Sequence, residues 1–228
     1  MRPAAVVVAA GRGRRFGGDG PRKQYRDLGG SAVAERACRP FVAERRIGTV
    51  VLVLPSDDLA DPPAWARELP VRLTAGGSTR VASVRRGLDA LGEEPDAVLV
   101  HDGARPLVGR ALVSRVLDAV REGPVVPVLP IPDTVKEVDA SGRIVATLDR
   151  SRLRRAQTPQ GFPLAVLRRV HREAADSGAG ATDDAGLCER AGVEVRTVEG
   201  DPANLKVTTP EDLERARRIL AAREERGR

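Results

Sequence analysis

Five valine-rich apolar runs of strand length constrain this chain more tightly than any other feature. They cover Ala4–Ala9, Thr49–Leu54, Ala97–Val100, Val125–Leu129 and Val193–Val198, and they do not alternate strictly between apolar and polar residues. A strand with one wet face alternates; a strand covered on both faces reads as a continuous apolar run, the habit of parallel sheets clad in helices. Helical spacing fills the gaps. Val81, Val84, Leu88 and Leu91 fall at i, i+3, i+7 and i+10 behind Ser78-Thr79, a suitable N-cap. Val113, Val116, Leu117 and Val120 form a second stripe, and Pro163 opens a third helix carrying Leu164, Leu167 and Val170. A last helix starts at Thr209-Pro210-Glu211-Asp212, carries Leu213, Ala216 and Leu220, and keeps its arginines late, as the helix dipole favours. Strand–helix alternation of this kind predicts an α/β sandwich with a mostly parallel sheet. At 228 residues, one large domain spanning 1–228 is expected.

The segment from Asp133 to Arg150 breaks the alternation. Two β-prone pieces, Thr134–Val138 and Ile144–Leu148, flank Asp139-Ala140-Ser141-Gly142, a good hairpin turn. A lone two-stranded hairpin is marginal in water. Residue patterns leave two placements open: an edge hairpin on its own sheet, or an arm embracing another subunit.

Composition removes several function classes. The aromatic residues are Phe16, Tyr25, Phe41, Trp65 and Phe162, too few and too scattered for the stacking platforms of single-strand nucleic-acid readers. Cys38 and Cys188 lie far apart with no C-x-x-C, which argues against a disulfide framework or a zinc site and for core thiols in a reducing compartment. No apolar run approaches the length of a membrane span. Arg2 followed by Ala4–Ala10 has the outline of a short signal peptide, but it leads straight into Gly11-Arg12-Gly13-Arg14-Arg15. A buried strand feeding a glycine-rich turn explains it better, and the cytoplasm is the expected location.

In open α/β sheets ligands sit at the carboxyl ends of the strands, and the unusual residues gather there. The first such end reads Ala9-Ala10-Gly11-Arg12-Gly13-Arg14-Arg15-Phe16-Gly17, then Lys23-Gln24-Tyr25. Glycines let backbone N–H groups approach an anion, and the cations suit a polyphosphate. It is not the dinucleotide fingerprint, since the third glycine comes one residue late, nor is it a Walker loop. A second site reads Gly76-Gly77-Ser78-Thr79-Arg80-Val81-Ala82-Ser83, where Arg80 and Ser83 share a helix face apart from the apolar stripe. A third reads His101-Asp102-Gly103-Ala104-Arg105-Pro106; a carboxylate beside an anion site is a natural partner for Mg²⁺ or a hydroxyl. His101 reads as a structural hydrogen-bonding residue and His171, following two arginines, as a surface residue. Thr158-Pro159-Gln160, Thr182-Asp183-Asp184 and Asn204-Leu205-Lys206-Val207-Thr208 follow. Neither G-x-S-x-G nor H-E-x-x-H occurs. Cations, backbone amides and one placed carboxylate suit phosphoryl or nucleotidyl transfer, where catalysis is mainly positioning and charge neutralisation.

Taken in order, these motifs, with Asp133-Thr134-Val135-Lys136 among them, closely resemble the 2-C-methyl-D-erythritol 4-phosphate cytidylyltransferase family over residues 5 to about 215. Gly103 stands where that family often has Ala, and Ser78 where an acidic residue is common. The resemblance implies a three-layer, Rossmann-like nucleotidyltransferase sandwich with a protruding β-hairpin arm at about 133–150. It implies transfer of CMP from CTP to the sugar phosphate with Mg²⁺, releasing pyrophosphate, in non-mevalonate isoprenoid biosynthesis. Arg15, Lys23 and Lys206 then act on the triphosphate and the charge developing at its α-phosphorus. Ala9, Ala10, Gly11, Gly13, Gly76, Gly77, Ser83 and Asp102 hold the nucleotide. Asp102, Arg105, Thr134, Arg150, Thr158, Thr182 and Lys206 hold methylerythritol phosphate, and Asp102 meets the metal. The arm makes a homodimer in which Thr134 and Arg150 reach the partner's site; neither nucleic acid nor membrane is a partner. Two other readings stay in view: a ribitol 5-phosphate cytidylyltransferase, which shares most nucleotide motifs, and a non-catalytic binder of anions or nucleic acid, suggested by the net charge of +6.

Overall fold

The structure is a computed structural model that describes residues 1–11, 16, 22–177 and 181–226. Its strands are β1 (Pro3–Val8), β2 (Thr49–Leu54), β3 (Arg72–Ala75), β4 (Ala97–Asp102), β5 (Val125–Pro130), β6 (Val135–Val138), β7 (Ile144–Leu148), β8 (Arg154–Ala156), β9 (Gln160–Pro163) and β10 (Arg196–Glu199). Its α-helices are α1 (Val33–Val42), α2 (Ala64–Glu68), α3 (Arg80–Asp89), α4 (Arg110–Ala119), α5 (Leu164–Ser177), α6 (Asp184–Arg190) and α7 (Pro210–Arg226). The main sheet runs β10-β5-β9-β4-β1-β2-β3, with β8 added on β5. The pairs β1–β2, β1–β4, β2–β3 and β5–β10 are parallel. Strand β9 is antiparallel to both its neighbours, and β8 is antiparallel to β5.

Both faces of the central strands are dry, as the continuous valine runs require. Ala5 and Val7 of β1, with Leu52 and Leu99, pack against Ala37, Cys38 and Phe41 of α1 and Leu112, Val113 and Val116 of α4. Ala4 and Val6, with Val51, Val98 and Val100, pack the other way against Val84 and Leu88 of α3 and Leu164, Leu167 and Val170 of α5. Successive side chains on a strand point to opposite faces, so one run feeds two layers. Burial of one such Val or Leu is worth about 1.5–3 kcal/mol. Helix α7 closes a third cluster, placing Leu213 and Ala216 against Leu28, Val33 and Val207.

Several expectations shift. Strand β4 continues two residues beyond Val100, making Asp102 its last residue, and the final strand starts at Arg196 because the Val193 N–H instead closes α6 on the Cys188 carbonyl. Pro163 ends β9 rather than opening α5. Strand β9 itself was not foreseen: its glycine and proline disguise it, yet Gly161 is what lets Val116, Val120 and Val125 close over it, with an added Cβ falling 2.9–3.2 Å from them. The hairpin β6–β7 forms a two-stranded sheet of its own and does not extend the main one. Thus the edge-hairpin placement is set aside.

Candidate active site at the carboxyl edge of the sheet

Register fixes which residues meet. Val8 lies opposite Asp102 on one side and Val53 on the other, while Leu54 lies opposite Ala75. The loops after β1, β2, β3 and β4 therefore leave the same edge of the sheet. The Ala9 N–H bonds the Val53 carbonyl at 2.8 Å, the Gly76 N–H the Leu54 carbonyl at 2.7 Å, and the Gly103 N–H the Val8 carbonyl at 2.9 Å. This brings Ala9, Ala10, Gly11, Gly76, Gly77, Asp102 and Arg105 to one cleft edge. Gly13 and Arg15 lie outside the described residues.

The glycines are there for closeness. A Cβ on Gly76 would fall 2.1 Å from the Ala10 Cβ, one on Gly77 2.5 Å from the Ala82 Cβ, and one on Gly103 2.9 Å from the Ala9 Cβ. The side chain of Ser83 is buried and serves this loop: its hydroxyl accepts from the Gly77 N–H at 3.1 Å and donates to the Thr79 carbonyl at 2.8 Å. Thr79 caps α3 by accepting from the Ala82 N–H. Gly76→Ala is expected to cost about 1–3 kcal/mol, as overpacking does, because the loops after β1 and β3 are pushed apart. Thermal unfolding checks it; an unchanged midpoint would show that the loops yield freely.

At the end of β4 the charges converge. The Lys206 Nζ lies 2.7 Å from Asp102 Oδ2, the Arg80 Nε 3.3 Å from Asp102 Oδ1, and the Arg105 Nε 4.0 Å from Oδ2. Burial alone would raise the Asp102 pKa, but the charges of Arg80 and Lys206 outweigh it and hold the carboxyl well below the usual range. Lys206 is delivered by a segment docked on the β4 loop: the Val207 N–H bonds the Ala104 carbonyl at 2.8 Å, and Arg105 donates to the Asn204 carbonyl at 2.8 Å. Lys23 donates to the Val207 carbonyl at 3.2 Å, so the lysine after the first loop and the lysine after the last strand meet at one place. The Lys23 turn is itself anchored, since the Tyr25 hydroxyl bonds Asp58 at 2.6 Å and Gln24 bonds the Gly11 carbonyl at 3.0 Å.

Thr158 departs from expectation. It is buried, and its hydroxyl accepts from the Asp102 N–H at 3.0 Å while facing His101 Nδ1 at 3.0 Å, so it steadies the strand end rather than offering itself to a ligand. His101 Nε2 faces the Arg105 carbonyl at 3.2 Å. A carbonyl only accepts, so Nε2 carries the proton and Nδ1 accepts from Thr158: the ring is a neutral strut between β4 and its loop. Burial pushes its pKa down to about 4. In the unfolded chain a histidine takes its proton near 6.5. Stability contributed by this ring is therefore full above pH 6.5, falls by about 1.4 kcal/mol per pH unit as pH drops from there, and levels off below about 4, a total of about 3 kcal/mol. Denaturant unfolding of wild type and His101→Gln at pH 7 and pH 4.5 measures it. The variant should lose less stability across that interval; parallel losses would mean the ring is not held neutral.

Thr182 is exposed next to Asp183, which caps α6 by accepting from the Gly186 N–H at 3.0 Å. Thr134 and Arg150 lie at the exposed base of the hairpin, where Arg150 bonds the Pro132 carbonyl of its own chain. His171 is a correction. It is 1% exposed, buried under α6 with Nε2 2.9 Å from Asp184 Oδ1. Arg169 is exposed and Arg168 reaches the Leu88 and Gly92 carbonyls, while the helix carries Val170 and His171 inward. Sequence reading missed Asp184 as part of the site, and singled out Arg80 without assigning it a role; the Asp183-Asp184 doublet was the available signal.

Among the described residues no three Asp, Glu, His or Cys side chains converge as a metal cage. Asp102 is surrounded by cations on both oxygens, so these residues do not form a resident divalent-cation site; Mg²⁺ ordinarily sits on one or two carboxylates plus substrate phosphates.

Comparison with known proteins agrees with this geometry. A family model described as 2-C-methyl-D-erythritol 4-phosphate cytidylyltransferase (IspD) matches residues 4–222. The bifunctional enzyme IspD/IspF of Nitrobacter winogradskyi is 49% identical over 225 residues, covering 97% of this chain and 56% of the relative. The chain thus spans about half the length of the curated relatives it matches. Among solved structures, the 2-C-methyl-D-erythritol 4-phosphate cytidylyltransferase of Thermus thermophilus superposes with a TM-score of 0.80 at 36% identity, covering 97% of this chain and 100% of that one. The 4-diphosphocytidyl-2C-methyl-D-erythritol synthase of Anaerococcus prevotii gives 0.83 at 28% identity, covering 96% and 98%.

Proposed function

The chain belongs to the 2-C-methyl-D-erythritol 4-phosphate cytidylyltransferase family, and from that premise we propose that it transfers CMP from CTP to 2-C-methyl-D-erythritol 4-phosphate in isoprenoid biosynthesis. The observation that carries the reading is the meeting of Asp102 with Lys206, Arg80 and Arg105, beside the close-packed loops of Ala9–Gly11 and Gly76–Gly77.

The step is an in-line displacement. An oxygen of the acceptor phosphate bonds to the α-phosphorus of CTP, the bond from that phosphorus to the bridging oxygen breaks, and pyrophosphate leaves with the electron pair. A phosphate monoester has its second pKa near 6, so the attacking oxygen is already ionised at neutral pH and no general base is needed. That fits His101, whose ring nitrogens are both committed to structure. Lys23, Lys206 and Arg15 neutralise the triphosphate and the charge that builds during transfer. Ala9, Ala10, Gly11, Gly13, Gly76 and Gly77 cradle the nucleotide, with Ser83 shaping the loop. Asp102, Arg105, Lys206 and Thr182 hold the acceptor. Magnesium enters with the nucleotide, as the MgCTP substrate, rather than as a resident ion.

We further propose a homodimer made by the β6–β7 arm. Apart from Met1, the large apolar side chains left exposed among the described residues are Val138, Ile144, Val145 and Leu148, all on this hairpin, at 38–59% exposure. An apolar two-stranded ribbon that, among the described residues, pairs with no other strand calls for a second surface. Thr134 and Arg150 at its base then serve the partner's site. Among the described residues no helix is long and apolar enough to cross a membrane. Cys38 and Cys188 are buried and unpaired, which suits the cytoplasm.

The test is pyrophosphate release by the purified protein with MgCTP and methylerythritol 4-phosphate, ribitol 5-phosphate or no acceptor. Release confined to methylerythritol phosphate is expected. Release only with ribitol phosphate would reassign the acceptor, and silence with every acceptor would remove the activity.

A further inference from the structure

Behind the cleft a line of charges runs into the core. Arg80, the first residue of α3, holds Asp102 with Nε at 3.3 Å and reaches the other way to Asp184, its Nη1 lying 2.8 Å from Oδ2. The other oxygen of Asp184 is 2.9 Å from His171 Nε2. Asp184 is 0% exposed and His171 1% exposed. A carboxylate so far from water is costly unless it is paired and hydrogen-bonded, and among the described residues Arg80 and His171 meet it. Arg80 and His171 lower its pKa against the burial that raises it. Because a carboxylate oxygen only accepts, His171 must present an Nε2–H to it.

A buried ion pair is weak evidence for stability, since well-packed apolar side chains often replace one without loss. What the line accomplishes is geometric. The Arg80 guanidinium is a planar fork with fixed donor directions; with its Nη1 2.8 Å from Asp184 Oδ2, its Nε faces Asp102 at 3.3 Å. Asp102 then turns Oδ2 toward Lys206 and the cleft. The Gly76 loop is held on the same helix through a different side chain, Arg86, which donates to the Gly76 carbonyl at 2.6 Å.

Resting on the reading above, we propose that His171 and Asp184 are positioning residues for the transfer: acting through Arg80, they set the orientation of the Asp102 carboxylate that receives the acceptor. They touch no substrate. The effect should fall on the acceptor side and leave the nucleotide loops alone.

His171→Leu keeps the volume and removes the donor, while His171→Gln keeps a donor at the position of Nε2. His171→Leu is expected to lower kcat/KM for methylerythritol phosphate about tenfold with KM for CTP nearly unchanged, and His171→Gln to recover most of it. A purely structural role would instead lower both substrates' kcat/KM together, through a smaller active fraction. In an Arg80→Met background the same His171→Leu change should add little, since the residue through which it acts is gone; an equal fold-loss in both backgrounds overturns the proposal. A second readout needs no turnover. The Arg80 Nε–H resonance in a nitrogen-15 spectrum should be protected from exchange in wild type and His171→Gln and lose that protection in His171→Leu. An unchanged Arg80 signal in His171→Leu would refute the relay whatever the enzyme turns over. Wild-type silence in the pyrophosphate assay would instead strike the functional reading and leave this spectroscopic test standing.

Discussion

Lys206→Ala is expected to lower turnover by about two to three orders of magnitude, the loss usual when a preorganised charge is taken from a transition state, while KM for CTP moves far less. The reason is where the ammonium sits. It is 2.7 Å from Asp102, next to the carbonyl that holds Lys23, and over a third of its side chain remains open to the cleft. In phosphoryl-type transfer there is little bond chemistry for a side chain to perform, so the geometry of positive charge around the α-phosphorus carries most of the acceleration. Binding that acts equally on ground and transition states would change KM instead. The fold should survive, because Asp102 keeps Arg80 and Arg105 when Lys206 leaves. Lys206→Arg should recover only part of the rate, since a planar fork does not reproduce a compact point charge. Steady-state pyrophosphate release at saturating MgCTP and acceptor measures this, with a thermal midpoint confirming a folded variant. A kcat within a few-fold of wild type would remove Lys206 from the catalytic group.

The contrast between Lys206 and His171 shows what a sequence of this kind discloses. Lys206 follows a strand region in a chain whose other strand ends already carry Gly11, Gly76 and Asp102, so topology alone brings it to the ligand edge. Parallel strands put their carboxyl ends together whatever the side chains are, and valine runs announced the strands before Gly11 and Asp102; β3, the strand before Gly76, has no such run and was not foreseen. His171 was misread. Its neighbours Arg168, Arg169 and Arg172 suggest a wet surface, but it stands four residues after Leu167 and seven after Leu164, on the buried stripe of α5, where Asp184 of α6 meets it. Strand β9 escaped notice for a related reason. A Gly-Phe-Pro segment has no strand signature of its own, and its place is dictated by the valines of β5 and α4 that close over Gly161. Thr158 was legible as part of the site but not in its role, because its hydroxyl partners lie more than fifty residues away at His101 and Asp102. Patterns local to the chain thus predict elements and the edge where they end; partners distant in sequence decide what each side chain there does.

The crossed arm makes the second large prediction. Arg150→Ala and Asp102→Ala homodimers should each be nearly inactive with methylerythritol phosphate. A heterodimer with one change on each subunit, isolated by two different tags, should regain about half of the wild-type turnover per dimer. If the arm of one subunit completes the site of the other, the subunit carrying Arg150→Ala retains its own Asp102 and receives an unaltered Arg150 from its partner, so one site is whole. The other site collects both defects. With the arm serving its own chain, each site in the heterodimer carries one defect and nothing is regained. The hairpin geometry favours the first outcome: among the described residues β6 and β7 pair only with each other, their apolar residues Val138, Ile144 and Val145 are more than half exposed, and Arg150 bonds the Pro132 carbonyl at the hairpin base. An isologous pair of such arms completes both sites by one symmetry operation. A tagged heterodimer as inactive as its parents would return the arm to its own chain, and a protein that never forms the heterodimer would remove the arm from the site altogether.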